Sequence, residues 1–588
     1  MRKTTITIIL TMFALMGQLA NAKSDRIVNI KIIETSDVHG YFFPTDLFDN
    51  KPLQGTMSRI NSYVERQRKT YGKNLLLMDN GDILQGQPTW YWSNYVMPLE
   101  KEGDKTNIAA SIINYMKYDV QNVGNHDIET GHEVYDKWIR EVKCPVLAAN
   151  MIDKNTGKPY TAPYVTFVRD GVKITVLGMI TSTMSCWLEE ELYKGMDFEE
   201  MVSNAKHWVK IIKEREKPDL IVGLFHSGKN GGIQLPNGMM EDATELVVKE
   251  VPGFDIIFFG HDHQVHNDWV TNIEGKKVLC LDPSCFAQNV AEANIQFTFQ
   301  GKKLVDKKIE GNIVNMRNEA VDEQMLKYYQ PQIDRIKKYV GKKIGTFAAS
   351  ISTRESFFGN SAFTDFIQNM QLELAHADIS FTAPLSFNAV IKQGEVTVAD
   401  MFKLYRFENK LCMLRMTGKE IRQHLEMSYD LWVNTMTSPQ DHVMQLNEEA
   451  GNDQQRMGFR NFTFNFDAAA GIDYVVDVTK PNGQKVHILQ MSNGEPFMED
   501  KWYNVAMNSY RANGGGELLI KGAGIPKDSI NDRIIYQSKM DFRHYIMEEI
   551  SKQGVVHPKA NSNWKFIPEA WTKPAIKRDY ELLFGNKE

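Results

Sequence analysis

After its first twenty residues the chain has no apolar run long enough to span a bilayer, so no spanning helix is expected. Cysteine is scarce: Cys144, Cys186, Cys280, Cys285 and Cys412 are the five present, none in a CxxC spacing. That excludes a cysteine-built zinc site, and the odd count leaves at least one thiol unpaired. Cys280 and Cys285 are spaced for a local bridge, and two buried thiols explain them equally well. Positive charge is not in excess either, with 68 Lys and Arg against 74 Asp and Glu, a formal net charge of −6. Polymeric nucleic acid needs a basic surface and is not an expected partner. Small anions remain open, because bound cations invert a local field. No internal repeat or low-complexity tract stands out. What is present is an ordinary globular balance, 42% hydrophobic and 24% charged over 588 residues, ample for large cores without disulfides.

The N-terminus reads as an export signal. Arg2 and Lys3 precede the short apolar stretch Ile6 to Leu19, and Ala20-Asn21-Ala22 fits a small-x-small cleavage site. Residues 1–22 are thus expected to be removed. No cysteine lies near the cut, so no stable membrane anchor is expected, and the destination is a bacterial periplasm.

The first half alternates strand-like and helix-like segments. Strands are predicted at 27–34, 74–78, 120–123, 146–150, 173–179, 220–225, 255–259 and 277–281, and helices at 56–70, 106–116 and 199–214. Several strands are continuous apolar runs, as in sheets covered on both faces. Residues 322–339 read as a helix joining two domains or as an ordinary surface helix. Beyond about Gly345, helices are predicted at 361–376 and 417–427 and strands at 379–382, 413–416 and 474–478, with a long exposed loop over 438–457.

Metal-ligand residue types follow the strand-like runs: Asp37-Val38-His39, Asp79-Asn80-Gly81-Asp82, Gly124-Asn125-His126-Asp127, His226, and Gly260-His261-Asp262-His263. Open α/β sheets place ligands at the carboxyl ends of their strands. Carboxylate, imidazole and amide donors suit divalent metals that polarise phosphate, and a carboxylate such as Asp82 can bridge two of them. Asp37 and His39, like His261 and His263, are two apart, a spacing that puts both on one face of an extended segment. His126 cannot easily share a face with Asn125, so it is read as an acid–base group, with Asp127 or Glu129 as its orienting partner.

These blocks resemble the calcineurin-like metallophosphoesterases, and their order is similar to the exported 5′-nucleotidase branch. The resemblance implies a four-layer α/β/β/α sandwich over residues 27–320, a linker helix over 321–344, and an α+β nucleoside-binding domain over 345–588. It implies one divalent ion on Asp37, His39, Asp82 and His263, and a second on Asp82, Asn125, His226 and His261, of an identity such as Mn, Zn or Co. It makes His126 the catalytic histidine and places Glu129 where relatives pair a shorter Asp with it. Leu404-Tyr405-Arg406-Phe407-Glu408-Asn409 and Asn508-Ser509-Tyr510-Arg511-Ala512 resemble the family's base pocket. Phe407 and Tyr510 would sandwich a base, and Asn409 would bond its edge.

One segment departs from the 5′-nucleotidase pattern. After Ala377-Asp378-Ile379 the chain reads Ser380-Phe381-Thr382-Ala383-Pro384-Leu385, with neither the glycine pair nor the arginine that clamps a monophosphate. That form looks like the 2′,3′-cyclic-nucleotide 2′-phosphodiesterase/3′-nucleotidase branch. The expected substrate is therefore a small nucleotide, cyclic or 3′-phosphorylated. The alternatives are a 5′-nucleotidase or UDP-sugar hydrolase, and a nucleotide-binding protein whose catalytic site has decayed.

Overall fold

The computed structural model describes residues 25–585 apart from 49, 102, 187, 236 and 448–457. The expected export signal and the second half of the 438–457 stretch lie outside the described residues. The chain divides into two compact units, one of residues up to Asp46, Lys51–Met184 and Glu191–Gln330, the other of Leu47–Asn50, Ser185–Glu190 and Pro331–Glu588.

The first unit is built on two six-stranded sheets. One runs, in spatial order, Lys303–Asn315, Asn289–Gln300, Arg26–Thr35, Leu75–Asp79, Val120–Asn122, Val146–Leu147. The other runs Val265–Thr271, Lys277–Pro283, Ile256–Phe259, Leu220–His226, Val172–Ile180, Tyr164–Arg169. Ile30, Ile32, Leu76 and Met78 from the first meet Val176, Val222, Leu224 and Phe258 from the second in one buried core. Helix Met57–Tyr71 packs on the outer face of the first sheet, and Met201–Arg215 and Thr244–Glu250 cover the second. The result is the expected α/β/β/α layering, with both faces of each central strand buried.

The apolar runs fall where the sequence put them, because strands buried on both faces carry no polar alternation to disguise them. The edges differ. The predicted strand at 146–150 stops at Leu147. The long antiparallel pair Asn289–Gln300 and Lys303–Asn315 was not foreseen. Its outer strand alternates intermediate and exposed residues, so it carries little hydrophobic signal.

The second unit centres on a five-stranded sheet in the order Ala468–Ala470, Ile379–Thr382, Trp502–Asn508, Lys410–Thr417, Ile534–Asp541. Helix Ala362–Ala375 is capped by the Ser361 hydroxyl at its start, and Gly418–Trp432 by the Thr417 hydroxyl. The described part of the 438–457 stretch is not an exposed loop. Val443 and Met444 are fully buried, and the Asp579 carboxylate accepts both of their backbone N–H groups at 2.8 and 2.9 Å. Two apolar residues in a polar context were too few to reveal this anchor.

Candidate metal centre

All nine candidate catalytic and metal residues lie in the first unit, at the carboxyl ends of its parallel strands. Asp37 and His39 follow Arg26–Thr35, Asp82 follows Leu75–Asp79, Asn125 and His126 follow Val120–Asn122, His226 ends Leu220–His226, and His261 and His263 follow Ile256–Phe259. The seven expected ligands converge. His39 Nε2 stands 3.0 Å from His263 Nε2, and His263 Nε2 stands 3.3 Å from Asp37 Oδ1. His226 Nε2 is 3.0 Å from Asn125 Oδ1 and 3.2 Å from Asp82 Oδ2, and His261 Nδ1 is 2.8 Å from Asn125 Oδ1. Two groups form, Asp37 with His39 and His263, and Asp82 with His226 and His261. Asp82 Oδ2 lies between them, also 3.9 Å from His39 Nε2.

The local backbone is not the extended segment that the i, i+2 spacing suggested. Asp37, His39, Asp82, His261 and His263 all take positive φ, from 49° to 84°. Each pair is brought together by left-handed turns rather than by pleating. Such conformations cost about 1–3 kcal/mol per residue and persist only where the surroundings enforce them. Two glycines make the space. A Cβ at Gly124 would stand 2.2 Å from Asp82 Oδ1, and one at Gly260 would stand 2.4 Å from Asp37 Oδ2.

Asp127 locks two of these loops together. Its carboxylate accepts the N–H groups of Asp82 and Gly124 on one oxygen, at 2.9 and 2.8 Å, and of Ile83 and Leu84 on the other, both at 3.0 Å. It is therefore not the partner of His126. Glu129 is: its Oε2 lies 2.5 Å from His126 Nδ1, so the extra methylene reaches. His126 is half-buried and edges against His39, their ring centroids 5.4 Å apart. Burial opposes its charge, but the Asp82 and Glu129 carboxylates push its pKa up to about 9.

The donor set fits divalent cations. Ligand atoms about 2.0–2.2 Å from one ion stand roughly 3–3.5 Å apart; His39–His263, His263–Asp37 and His226–Asp82 stand at 3.0, 3.3 and 3.2 Å, and the ligand atoms of each group all lie within 4.8 Å of one another. Asp37 Oδ1 is fully buried and accepts no hydrogen bond among the described residues. Burial opposes ionisation throughout, yet Asp82 and Asp37 raise His226 to about 9, while His226 and His263 hold Asp37 below the usual carboxylate range. Burial, and then the neighbouring His263, bring His39 down to about 3. Metal binding to such a pocket releases protons.

Sequence reasoning missed the groups behind the histidines. Gln85 Oε1 lies 3.1 Å from His39 Nδ1, the Asn80 carbonyl 2.8 Å from His226 Nδ1, and Glu241 Oε1 3.1 Å from His261 Nε2. Gln85 and Asn80 sit inside or beside a motif already singled out. Glu241 carries no motif signal.

The expected base-pocket residues lie in the second unit. Strands Lys410–Thr417 and Trp502–Asn508 pair antiparallel with Leu411 opposite Asn508, so Asn409 and Tyr510 leave the same end of one strand pair. Asn409 is buried and Phe407 half-buried. One face of the Tyr510 ring rests on Gly515, where a Cβ would stand 2.6 Å from the ring. Arg511 is buried in an ion pair with Asp467 and plays no part at the surface. None of the five cysteines is in a disulfide, and Cys280 and Cys285 are separate buried thiols. No helix among the described residues is long and apolar enough to cross a membrane.

Comparison with known proteins agrees with this geometry. Residues 30–265 match the family described as calcineurin-like phosphoesterase, and 343–521 match the 5′-nucleotidase C-terminal domain. The 2′,3′-cyclic-nucleotide 2′-phosphodiesterase/3′-nucleotidase of Haemophilus influenzae is 24% identical over 96% of this chain and 91% of its own length. The trifunctional nucleotide phosphoesterase of Bacillus subtilis is 26% identical over 93% of this chain, which spans only 39% of that longer protein. A Staphylococcus aureus crystal structure assigned as a 5′-nucleotidase shares the fold with a TM-score of 0.75, at 21% identity, over 92% of this chain and 99% of that one. Residues 30–265 thus carry a calcineurin-like phosphoesterase domain and 343–521 a 5′-nucleotidase C-terminal domain, and the protein is a phosphoester hydrolase.

Proposed function

We propose that this protein is an exported nucleotide phosphoesterase that uses two divalent ions, acting best on 2′,3′-cyclic nucleotides and 3′-nucleotides. The observation that carries the reading is the convergence of seven donor side chains into two adjoining groups around Asp82. Asp37, His39, Asp82 and His263 hold one ion, and Asp82, Asn125, His226 and His261 the other. When bound, the pair supplies Lewis-acid polarisation of the phosphate and activation of water.

The chain's own groups do the rest. His126 keeps a proton at the edge of the cluster, with Nδ1 against Glu129 and the opposite nitrogen available to the leaving oxygen. Glu129 fixes that orientation. Asp127 holds the Asp82 and Asn125 loops in register. Residues 27–320 carry the hydrolytic chemistry and 345–588 recognise the nucleoside, with Phe407 and Tyr510 stacking the base and Asn409 at its edge. Stacking on a base contributes about 1–3 kcal/mol and tolerates any base.

Two observations favour the cyclic and 3′ substrates. The segment Ala377–Phe387 lacks an arginine, and a diester with one charge needs a phosphate clamp less than a monoester with two. The full-length Haemophilus relative bears that activity in its name. A 5′-nucleotidase is the second reading, favoured by the match over residues 343–521. Purified protein with Mn²⁺ or Zn²⁺ is assayed on 2′,3′-cAMP, 3′-AMP and 5′-AMP. The first two are expected to turn over fastest; much faster cleavage of 5′-AMP overturns the cyclic assignment.

A further inference from the structure

Three histidines of the cluster are braced from behind, and of these three braces one is a carboxylate. His39 rests on the Gln85 amide and His226 on the Asn80 carbonyl, both neutral, whereas His261 turns its Nε2 toward Glu241. Glu241 is fixed in two ways. Its second carboxylate oxygen accepts the Ile233 N–H at 2.7 Å, across the hairpin formed by Gly231–Gln234 and Met240–Asp242. Its backbone carbonyl accepts the hydroxyls of Thr181 and Ser227 at 2.8 and 2.7 Å, and Ser227 directly follows His226. Gly232 clears the space, since a Cβ there would stand 2.6 Å from Glu241 Oε2. The neighbouring Asp242 is less well placed. Its Oδ1 is 3.8 Å from His261 Nε2 and is already engaged by the Gly228 N–H.

A neutral imidazole carries one proton, and the nitrogen without it is the ligand. Glu241 accepts from Nε2–H, so the lone pair falls on Nδ1, the atom that faces Asn125. We propose that Glu241 is a positioning residue for the ion held by Asp82, Asn125, His226 and His261: it selects the Nδ1-ligating tautomer of His261 and so sets the affinity of that site alone. The inference rests on the two-ion reading above.

Glutamine at 241 is the diagnostic change. Glu241 accepts two hydrogen bonds, one on each oxygen, and an amide has a single acceptor oxygen for both donors. Metal-stripped full-length protein is titrated with Mn²⁺, with free ion followed by electron paramagnetic resonance. Wild type is expected to bind two ions. Glu241→Gln is expected to loosen one of them by roughly tenfold to a hundredfold and leave the other within about twofold. Gly232→Ala, which displaces the carboxylate without altering its chemistry, is expected to loosen the same ion. In a His261→Ala background Glu241→Gln is expected to add nothing, because the two act as a unit. Wild type binding fewer than two ions defeats the two-ion reading itself. Two ions in wild type with both affinities unchanged in Glu241→Gln overturns the role of Glu241. Equal loosening of both sites together with a lower melting temperature also overturns it, marking Glu241 as a general support.

Discussion

The two units each bury a knot of charged and imidazole groups, and the knots are built on opposite principles. In the second unit Asp467 and Arg511 satisfy one another. Arg511 Nε and Nη2 donate to Asp467 at 2.9 and 3.1 Å, His424 Nε2 adds a contact at 2.8 Å, and the remaining guanidinium donors reach the Gly515 and Phe464 carbonyls and the Asn465 side-chain oxygen, while His424 Nδ1 makes no hydrogen bond among the described residues. In the first unit the donors face one another. Imidazole nitrogens meet at 3.0 Å, the buried Asp37 Oδ1 has imidazole nitrogens about it and accepts no hydrogen bond among the described residues, and five of the seven converging residues sit in left-handed backbone. A buried polar cluster that closes on itself is scaffold; one that stays open toward its own centre is built to hold something else.

The sharpest way to break this contrast is to remove the group shared by both expected ions. Asp82→Asn is expected to lower kcat/KM about ten-thousandfold, since Lewis-acid stabilisation worth several kcal/mol is lost at two ions together. Its melting temperature without metal should stay equal or rise. A large loss of stability would make Asp82 scaffold after all.

The matching change in the second unit should do the reverse. Asp467→Asn leaves Arg511 buried without its counter-charge and is expected to cost about 3–5 kcal/mol of stability by urea unfolding near neutral pH. Burial opposes ionisation of Asp467, but Arg511 and His424 hold its pKa below the ordinary carboxylate value. The stabilisation is therefore complete above about pH 4 and fades as pH falls through the lower folded value. The gap between variant and wild type should narrow on the acid side of pH 4.

Tyr510→Ala tests recognition rather than scaffold. It is expected to weaken nucleotide binding by about 1–3 kcal/mol, read as a raised KM with little change in metal content. The smallest effect separates backbone from side chain. His263 takes positive φ and His226 lies in a strand. In metal-stripped protein His263→Gly should be more stable than His263→Ala by about 1 kcal/mol, because glycine is at ease in left-handed backbone. At His226 the order should invert. The same order at both sites would remove strain from the account.

The layered α/β architecture was legible because its central strands are buried on both faces, so Leu76, Val222 and Phe258 sit in apolar runs. The convergence of the candidate ligands was legible because each stands at or just after the end of a strand-like segment. Three things were not. The half-exposed strand Lys303–Asn315 has no apolar run to read. The i, i+2 pairs were right in position and wrong in mechanism, since a sequence does not display φ at a non-glycine residue. Glu241 reaches His261 across twenty positions through a hairpin that begins at two glycines, and only the fold makes that neighbourhood visible.

The left-handed turns at Asp37 and Asp82 also bear on inheritance. A single base change converts an aspartate codon to glycine, the residue those two turns would prefer on conformational grounds alone. Backbone geometry alone would favour glycine at both positions, so what the two aspartates contribute lies in their carboxylates and not in the turns that carry them.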